Sequence, residues 1–437
     1  MPKGLLLLFL LIAAINIKAQ NDTLQQKFVI DSIFISGNKI TDEDIILREL
    51  TFNIGDSVDN DLLIYNKERI YSLGIFNRVE LKMLDSVKEI NLLNIQIEES
   101  WYIYPLPFVD IKENDWKKIS YGINLLIKNF RGRNETVQTN FSLGYDPNLS
   151  LGYYIPAIAG FEKYFIYFAL GYASNNVKSI FIRKKFGEFE QKFSSFNIGF
   201  GKQFNVYNSA SVSLGYQYVE SPFYFPGLNA DNERIDRFPV IGLKYEYDTR
   251  DLSQFPTSGL YTGAELLIKG LDVNNINYEV FNLEFREYRK IIDKLIGKWR
   301  FYYRTAFGEF IPYYDYSYLG YSEVIRGHSG DYKEGHNLYM GSLEFYYPIF
   351  RDYFLNFDFI PIVPEELLRY RVGLYVQVFG ETGTTINRRD KLRIKALDTG
   401  FGFGFTLLFL PYNLLRVEYA FDEKFNREWV VDLGISF

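Results

Sequence analysis

The residues that could carry chemistry are few and form no catalytic pattern. The chain has no cysteine and only two histidines, His328 and His336, which excludes a thiol nucleophile, a cysteine-ligated zinc site and a histidine-rich metal site. The glycines of residues 400–404 lie in an alternating strand with no helix after them, so they do not form a dinucleotide loop. Residues 327–330 lack the spacing of a Gly-x-Ser-x-Gly elbow. We therefore expect no enzymatic activity, catalytic residue, cofactor or metal.

Arg326 is the charged residue whose surroundings suggest a role. It lies in a long segment, 311–336, between two strongly alternating strands, and a connection of this length in a compact domain is usually functional or mobile. Gly327 permits a tight turn, and the guanidinium is a rigid five-donor fork that needs an acid partner if the loop folds inward. The residue is therefore either paired inside the protein or exposed on a turn.

The elements that must position this loop are strands. After Trp101 apolar and polar residues alternate almost to the end, as in Ile241, Leu243 and Tyr245 against Lys244 and Glu246. A soluble β-sandwich also alternates, but most segments run about 9–13 residues, which suits a tilted transmembrane strand. The apolar face is rich in aromatics near segment ends, and its opposite face carries charges that only a watery lumen tolerates. Both features predict a transmembrane barrel.

An even strand number is expected when both barrel ends lie on the same side of the membrane. One segment, 177–185, makes the count odd and is assigned to a hairpin extension, which leaves a 16-stranded antiparallel barrel over residues 101–437. Residues 351–369, with Pro361 and Pro364, are interpreted as a long connection. Pro105 and Pro107 lie in the first strand, where they either weaken its pairing with the last strand or simply end the linker.

The first hundred residues contain two further units. Residues 1–20 resemble a secretory signal, with Lys3, an apolar core and Ala19 before the expected cleavage site. Residues 21–100 change periodicity several times and predict a small β-α-α-β-β domain. The fold class is therefore mostly β, with one small domain before the barrel.

Composition limits the classes of partner. Aromatic residues make up 18% of the chain, and Lys plus Arg (48) against Asp plus Glu (54) gives a net charge of -6. An acidic chain offers no electrostatic case for a nucleic-acid partner. No apolar run after residue 20 is long enough for a membrane helix.

Three motifs, together with the small domain, resemble the BamA/TamA superfamily of outer-membrane assembly factors and the related two-partner secretion transporters. Residues 72–79 lie in the unit that is similar to a POTRA domain, and a strand-turn-strand hairpin and a loop motif follow in the barrel. The hairpin motif comprises Asp248, Arg250, Asp251, Pro256 and Gly259. The loop motif comprises Ile325, Arg326, Gly327 and His328, with histidine where the family has an aromatic residue.

The resemblance also implies roles for residues near the C-terminus. The family pairs its loop arginine with an acid in a Phe-x-Asp-x-Gly strand, and Phe379, Glu381 and Gly383 match that strand with Glu in place of Asp. Gly434 and Phe437 resemble the β-signal by which outer-membrane barrels are recognised for insertion. The family is thought to open between its first and last barrel strands.

The function that the resemblance implies is assembly or translocation at a bacterial-type outer membrane, with the POTRA-like domain in the periplasm. The domain would capture unfolded β-barrel or secreted clients, and the barrel would pass them through or beside itself. The implied partners are the outer-membrane bilayer, these clients and accessory lipoproteins. A two-partner-type secretion pore and a passive porin are the alternatives.

Overall fold

The computed structural model describes residues 27–84, 91–112, 115–158, 160–161, 163–231, 233–321, 323–411 and 413–435. The predicted signal segment, 1–20, lies outside these residues. A small N-terminal domain precedes a 16-stranded sheet in which each strand pairs antiparallel with its neighbour, so the predicted fold class is confirmed. Within the described residues, no helix is long and apolar enough to cross a membrane.

The N-terminal domain packs two helices against a three-stranded sheet of order β2-β5-β4. Asp59 caps the second helix by accepting a hydrogen bond from the backbone N–H of Leu62 (2.8 Å), and Gly74, with φ of 64°, turns the chain after it. Ile46, Ile70 and Ile95 are fully buried in its core. The elements are β1 Phe28–Val29, β2 Ser32–Ser36, α1 Glu43–Leu47, β3 Ser57–Val58, α2 Asn60–Tyr71, β4 Phe76–Leu84 and β5 Leu92–Glu99.

The barrel strands follow one another around the sheet in chain order. The first eleven are β6 Ile103–Ile111, β7 Ile119–Phe130, β8 Glu135–Gly144, β9 Asn148–Ile155, β10 Tyr164–Asn176, β11 Glu190–Gln203, β12 Asn208–Glu220, β13 Ile235–Asp248, β14 Gly259–Lys269, β15 Tyr278–Ile292 and β16 Leu295–Gly308. A small hairpin, β17 Ser317–Leu319 and β18 Lys333–Gly335, lies in the next connection. The barrel then continues with β19 Asn337–Asn356, β20 Arg369–Ile386, β21 Asp398–Leu410, β22 Asn413–Asp422 and β23 Arg427–Ile435.

Alternation along the strands separates an apolar outer wall from a polar lumen. Leu243 and Tyr245 are 41% and 44% exposed on the outer face of β13. In the lumen, Arg300 pairs with Glu284 at 2.7 Å, and such pairing is what makes buried charge tolerable. The outer wall therefore suits lipid, as the period of two predicts.

Two interpretations of connections were wrong. Residues 177–185 do not form a strand-like extension; they contain the helix α3, Ile180–Phe186. Ser179 accepts a hydrogen bond from the N–H of Ile182, whose fully buried side chain fixes the helix. The connection expected over 351–369 is shorter, because β19 continues to Asn356 and β20 starts at Arg369.

The N-terminal domain lies against one end of the barrel, which we name the domain end; the opposite end is the far end. Four connections at the domain end contact the domain, through Gly132, Val206, Thr249 and Glu366. The long connection 309–336 joins β16 to β19 at the far end.

Candidate functional site

The long connection 309–336 folds into the lumen and is held there by charges on the barrel wall. Arg300 on β16 binds Glu323 through two hydrogen bonds of 2.8 and 2.9 Å. Arg304, four residues further along β16, donates to the Ser317 hydroxyl at 2.9 Å. These contacts hold the loop to the barrel wall at Ser317 and at Glu323, before the loop motif begins.

Arg326 lies at the centre of three glutamates from three strands. Its guanidinium donates to Glu344 on β19 (2.7 Å), to Glu418 on β22 (2.5 Å) and to Glu381 on β20. The Glu381 carboxylate also accepts from the backbone N–H of Arg326 at 3.0 Å. Arg326 and the three acids are each at most 8% exposed, so this is a buried charge cluster, not an arginine on an exposed turn.

The three matching residues of β20 all lie against the loop motif. The Phe379 ring lies 3.6 Å below the Arg326 guanidinium carbon, a cation–π arrangement. Glu381 holds the arginine side chain and backbone. Gly383 leaves room for Ile325, because a Cβ at this position would lie 3.1 Å from the Ile325 Cδ1 atom. Alternation on the lumen face therefore explains the two-residue spacing of the segment.

The glycines of β21 make the space that the loop occupies. A Cβ at Gly400 would lie 1.8 Å from the Arg326 carbonyl oxygen. A Cβ at Gly402 would lie 2.8 Å from the Phe379 ring, and one at Gly404 would lie 2.7 Å from the Glu418 side chain. No other residue fits these positions without movement of the loop or its partners. The pattern that superficially resembles a nucleotide loop is a groove for the arginine motif.

Glu381 is the acid partner that the sequence predicts, and the structure adds further acids around the loop motif. Glu344 and Glu418 reach the same guanidinium, and Glu428 accepts from the Gly327 N–H at 2.7 Å. Lys298 adds a second cation by pairing with Glu344 at 3.1 Å. Each of these acids lies on a lumen-facing position of its strand, but the sequence offers no signal that links three distant strands to one loop.

His328 lies at the loop tip between two carboxylates. Its Nδ1 atom is 2.8 Å from Asp331, and its Nε2 atom is 2.9 Å from Glu423 in the turn between β22 and β23. Burial lowers the pKa of the His328 ring. The hydrogen bond to Asp331 and the charges of Asp398 and Glu423 raise the pKa by more than burial lowers it, so the net pKa lies above 6.5. The protonated ring therefore ties the loop tip to the far-end turns.

This geometry predicts that the loop tip loosens as pH rises. The folded-state pKa of His328 is raised, so its contribution is fully present below the unfolded pKa and is lost as pH passes through the folded value. Limited proteolysis of the loop should accelerate as the pH rises above about 6.5 in the intact protein. His328→Phe should remove this pH dependence, and an unchanged profile in that variant would contradict the assignment.

The hairpin motif forms the inner rim of the domain end. Asp251, 7% exposed, accepts hydrogen bonds from the Thr257 N–H and hydroxyl (2.9 and 2.6 Å) and so folds the connection 249–258 inward. Arg250 pairs with Asp248 at 2.7 Å. Gly259, with φ of 106°, starts β14 where a Cβ would lie 2.3 Å from the Thr249 carbonyl oxygen. The motif therefore has a structural role in this turn.

The inward turn places an aromatic plug in the mouth of the barrel. The Phe255 ring packs against Tyr346 and Tyr375 at centroid distances of 5.0 and 4.5 Å. The Tyr346 hydroxyl donates to the carbonyl of Pro256. These residues belong to the same buried apolar cluster as the core of the N-terminal domain.

The helix α2 docks on this plug. Tyr65 donates to the Thr249 carbonyl at 3.1 Å, and the Ser253 N–H donates to the Ser72 hydroxyl at 2.9 Å. Glu68 forms a bidentate pair with Arg371 of β20, at 2.6 and 2.9 Å. The domain is therefore joined to the barrel by a largely buried ion pair as well as by apolar packing.

The proposed β-signal is only partly described. Gly434 lies in β23, opposite Leu414 of β22. Phe437 lies outside the described residues. The role of these two residues stays a prediction.

Comparisons with known proteins agree with this architecture. Residues 28–100 match the POTRA family model, described as the surface antigen variable number repeat, and residues 129–437 match the Omp85 superfamily domain. No curated protein matches the chain by sequence.

Solved structures share the fold at low sequence identity. BamA from Haemophilus ducreyi lacking POTRA domains 1–3 is 16% identical, with a TM-score of 0.54 over 93% of this chain and 85% of that one. CdiB from Escherichia coli is 10% identical, with a TM-score of 0.51 over 97% and 92%. CdiB from Acinetobacter baumannii is 14% identical, with a TM-score of 0.50 over 93% and 73%. The Omp85 model covers well over half of the sequence, and the chain therefore belongs to the Omp85 superfamily of outer-membrane β-barrel proteins, with a POTRA domain over residues 28–100 before its barrel.

Proposed function

We propose that this chain captures unfolded client polypeptides on its POTRA domain, in the periplasm, and passes them into or across the outer membrane at its barrel. The proposal requires no covalent chemistry, so we propose that the protein is not an enzyme. The observation that carries it is that both ends of the lumen are occupied. The loop with Arg326 lies in the far half of the lumen, and the plug with Phe255 and the docked domain cover the other end. A passive porin needs an open lumen, so this arrangement favours a factor that acts on clients.

The first barrel strand supports an exit at the seam between β6 and β23, the two ends of the strand order. The Lys128 N–H donates to the Tyr102 carbonyl, and the Lys112 N–H donates to the Lys118 carbonyl. Along an antiparallel strand, successive residues direct their backbone N–H and C=O groups alternately to the two neighbouring strands. The even-numbered residues of β6 therefore direct these groups towards β7. Pro105 and Pro107 therefore face away from β7, towards the seam, where each removes a backbone donor.

The POTRA sheet offers a place for client capture. β2 is an edge strand of the sheet, and Phe34 on it is 55% exposed. An edge strand presents unpaired backbone groups that an extended peptide can pair with regardless of its sequence. Accessory lipoproteins, which the family resemblance implies, stay a prediction.

The test is reconstitution in liposomes, with unfolded barrel clients added and their folding followed by gel mobility. The intact protein should accelerate client folding, and deletion of residues 27–99 should abolish the acceleration. Because the deletion also uncovers the barrel mouth, Phe34→Lys is the sharper variant: a charge on an edge strand blocks pairing and should remove most of the acceleration.

Ile54→Lys is the matched control, since Ile54 is 62% exposed on the same domain but lies outside the sheet. It should behave like the unaltered protein. No acceleration by the intact protein, combined with steady ion conductance, would instead indicate a porin or a dedicated secretion pore.

A further inference from the structure

The hairpin of β19 and β20 projects beyond the rim of the barrel at the domain end. Pairing of β16 with β19 stops at Ile296 and Tyr346, and pairing of β20 with β21 stops at Arg371 and Leu410. β19 and β20 continue to pair with each other to Asn356 and Arg369. The hairpin then closes through the connection 357–368.

The tip of this hairpin is apolar and exposed. Phe359 is 78% exposed and Ile362 is 101% exposed, and Ile360 and Val363 are 38% and 40% exposed. These four residues lie within five positions of one connection. An exposed apolar cluster of this kind usually marks a contact with a membrane or a partner.

A row of aromatic rings joins the tip to the membrane-facing wall. The Phe359 ring is 6.0 Å from Phe357, which is 6.2 Å from Tyr370, which is 6.2 Å from Phe409 of β21. Phe409 lies between Leu408 and Leu410, which are buried on the lumen side, so alternation places it on the outer wall. The apolar surface of the tip is therefore continuous with the surface that faces lipid.

The opposite face of the hairpin is occupied by the POTRA domain. Arg369 pairs with Glu98 at 3.3 Å, and the Asn77 amide donates to the Glu366 carbonyl at 2.6 Å. The Arg78 guanidinium lies 5.2 Å from the centre of the Phe354 ring. With the domain on one face, the aromatic face is left towards the bilayer.

Charge at the tip decides which force would hold it in lipid. Asp358, Glu365 and Glu366 are acidic, and Arg369 pairs with the first two at 3.1 and 3.0 Å. Three acids against one arginine make residues 357–369 net negative, so the tip gains nothing from anionic headgroups. Burial of its apolar side chains is the remaining driving force, and aromatic rings favour the interfacial region.

We propose that the tip of the β19–β20 hairpin, residues 357–363, inserts into the interfacial region of the leaflet at the domain end of the barrel. Its partner is the lipid surface itself, bound through apolar contact and without preference for anionic headgroups. The hairpin thereby anchors the docked POTRA domain to the membrane. The inference rests on the barrel's place in a bilayer and not on the handling of clients.

Single-cysteine labelling tests the proposal, because the full chain has no cysteine of its own. Ile362→Cys, carrying an environment-sensitive dye, is reconstituted in phosphatidylcholine vesicles with and without a nitroxide-labelled lipid. The dye at position 362 should be quenched by the nitroxide lipid and shielded from aqueous iodide. Raising the salt from 0.1 to about 1 M should leave both results unchanged, because salt screens charge but not apolar contact.

Two control positions calibrate the measurement. Val378→Cys reports lipid, since Val378 is 52% exposed on the outer wall, and Ile54→Cys reports water. Phe359→Cys is a second reporter on the tip. Iodide quenching at 362 and 359 equal to that at 54, or nitroxide quenching that high salt abolishes, would overturn the proposal. A dye response that appears only when an unfolded client is added would also overturn it, because the tip would then bind protein.

Discussion

Arg326→Ala should destabilise the far half of the barrel more than any other single substitution in the loop. Three buried glutamates lose their shared cation, and breaking a buried charge cluster by removing one member costs about 3–5 kcal/mol in the free energy of unfolding. Lys298 still faces Glu344, so Glu381 and Glu418 bear most of the loss. Chymotrypsin, which cleaves at the many tyrosines of the loop, should cut it faster, and urea unfolding in detergent should shift to lower concentration.

Two further variants give this result its meaning. Arg326→Lys keeps the charge but loses the planar fork, so its stability should lie between those of the alanine variant and the unaltered protein. Arg234→Ala removes a 46% exposed arginine paired with Glu220 and should change stability by less than about 1 kcal/mol. If Arg326→Ala unfolds and is digested like Arg234→Ala, the cluster does not hold the loop.

Arg371→Ala should loosen the docking of the POTRA domain on the barrel. The substitution removes the arginine that binds Glu68 and leaves Asp352 with only the half-exposed Arg351. The expected cost is again about 3–5 kcal/mol, because the pair of Arg371 and Glu68 is nearly buried. Leu252→Cys, at a position 5% exposed beneath the domain, reports undocking through its rate of thiol labelling. We expect labelling to accelerate by a factor of about 100 or more, since 1.4 kcal/mol is a factor of ten.

A double-mutant cycle separates the contribution of the Glu68–Arg371 ion pair from general destabilisation. Glu68→Ala alone should also accelerate labelling, and in the Arg371→Ala background it should add much less than it does alone, because the two residues act together. Arg351→Ala is the matched control, since Arg351 contacts the same Asp352 at 3.6 Å but is 48% exposed. Equal labelling rates in Arg351→Ala and Arg371→Ala would show that the ion pair does not hold the domain.

Local patterns were sufficient for much of the architecture. Alternation with a period of two predicted the barrel, and changes of periodicity predicted both helices of the POTRA domain, because these features depend on neighbouring residues. The same logic failed for residues 177–185. There the buried side chain of Ile182 and the cap at Ser179 stabilise a short helix, although the sequence of this segment resembles a strand.

The acids around Arg326 show where local patterns end. The spacing of Phe379, Glu381 and Gly383 is a property of one strand, so the family motif could identify it. Glu344 and Glu418 lie 18 and 92 residues from Arg326, and only the strand order of the sheet, with β19 to β22 side by side, brings these acids to the same loop. The sequence alone does not show that the glycines of β21 make room for this loop, because the loop is distant from them in sequence.

By itself, the sequence determined the class of the protein: a POTRA-like domain followed by a 16-stranded barrel with an arginine loop. Only the tertiary structure decided that this arginine meets three acids, that the domain covers the barrel mouth, and that the β19–β20 hairpin carries an exposed apolar tip. The physical reason is the distance along the sequence over which each kind of feature is encoded. Periodicity, caps and turns are encoded within a few residues, whereas burial and charge pairing depend on which distant strands the barrel makes neighbours.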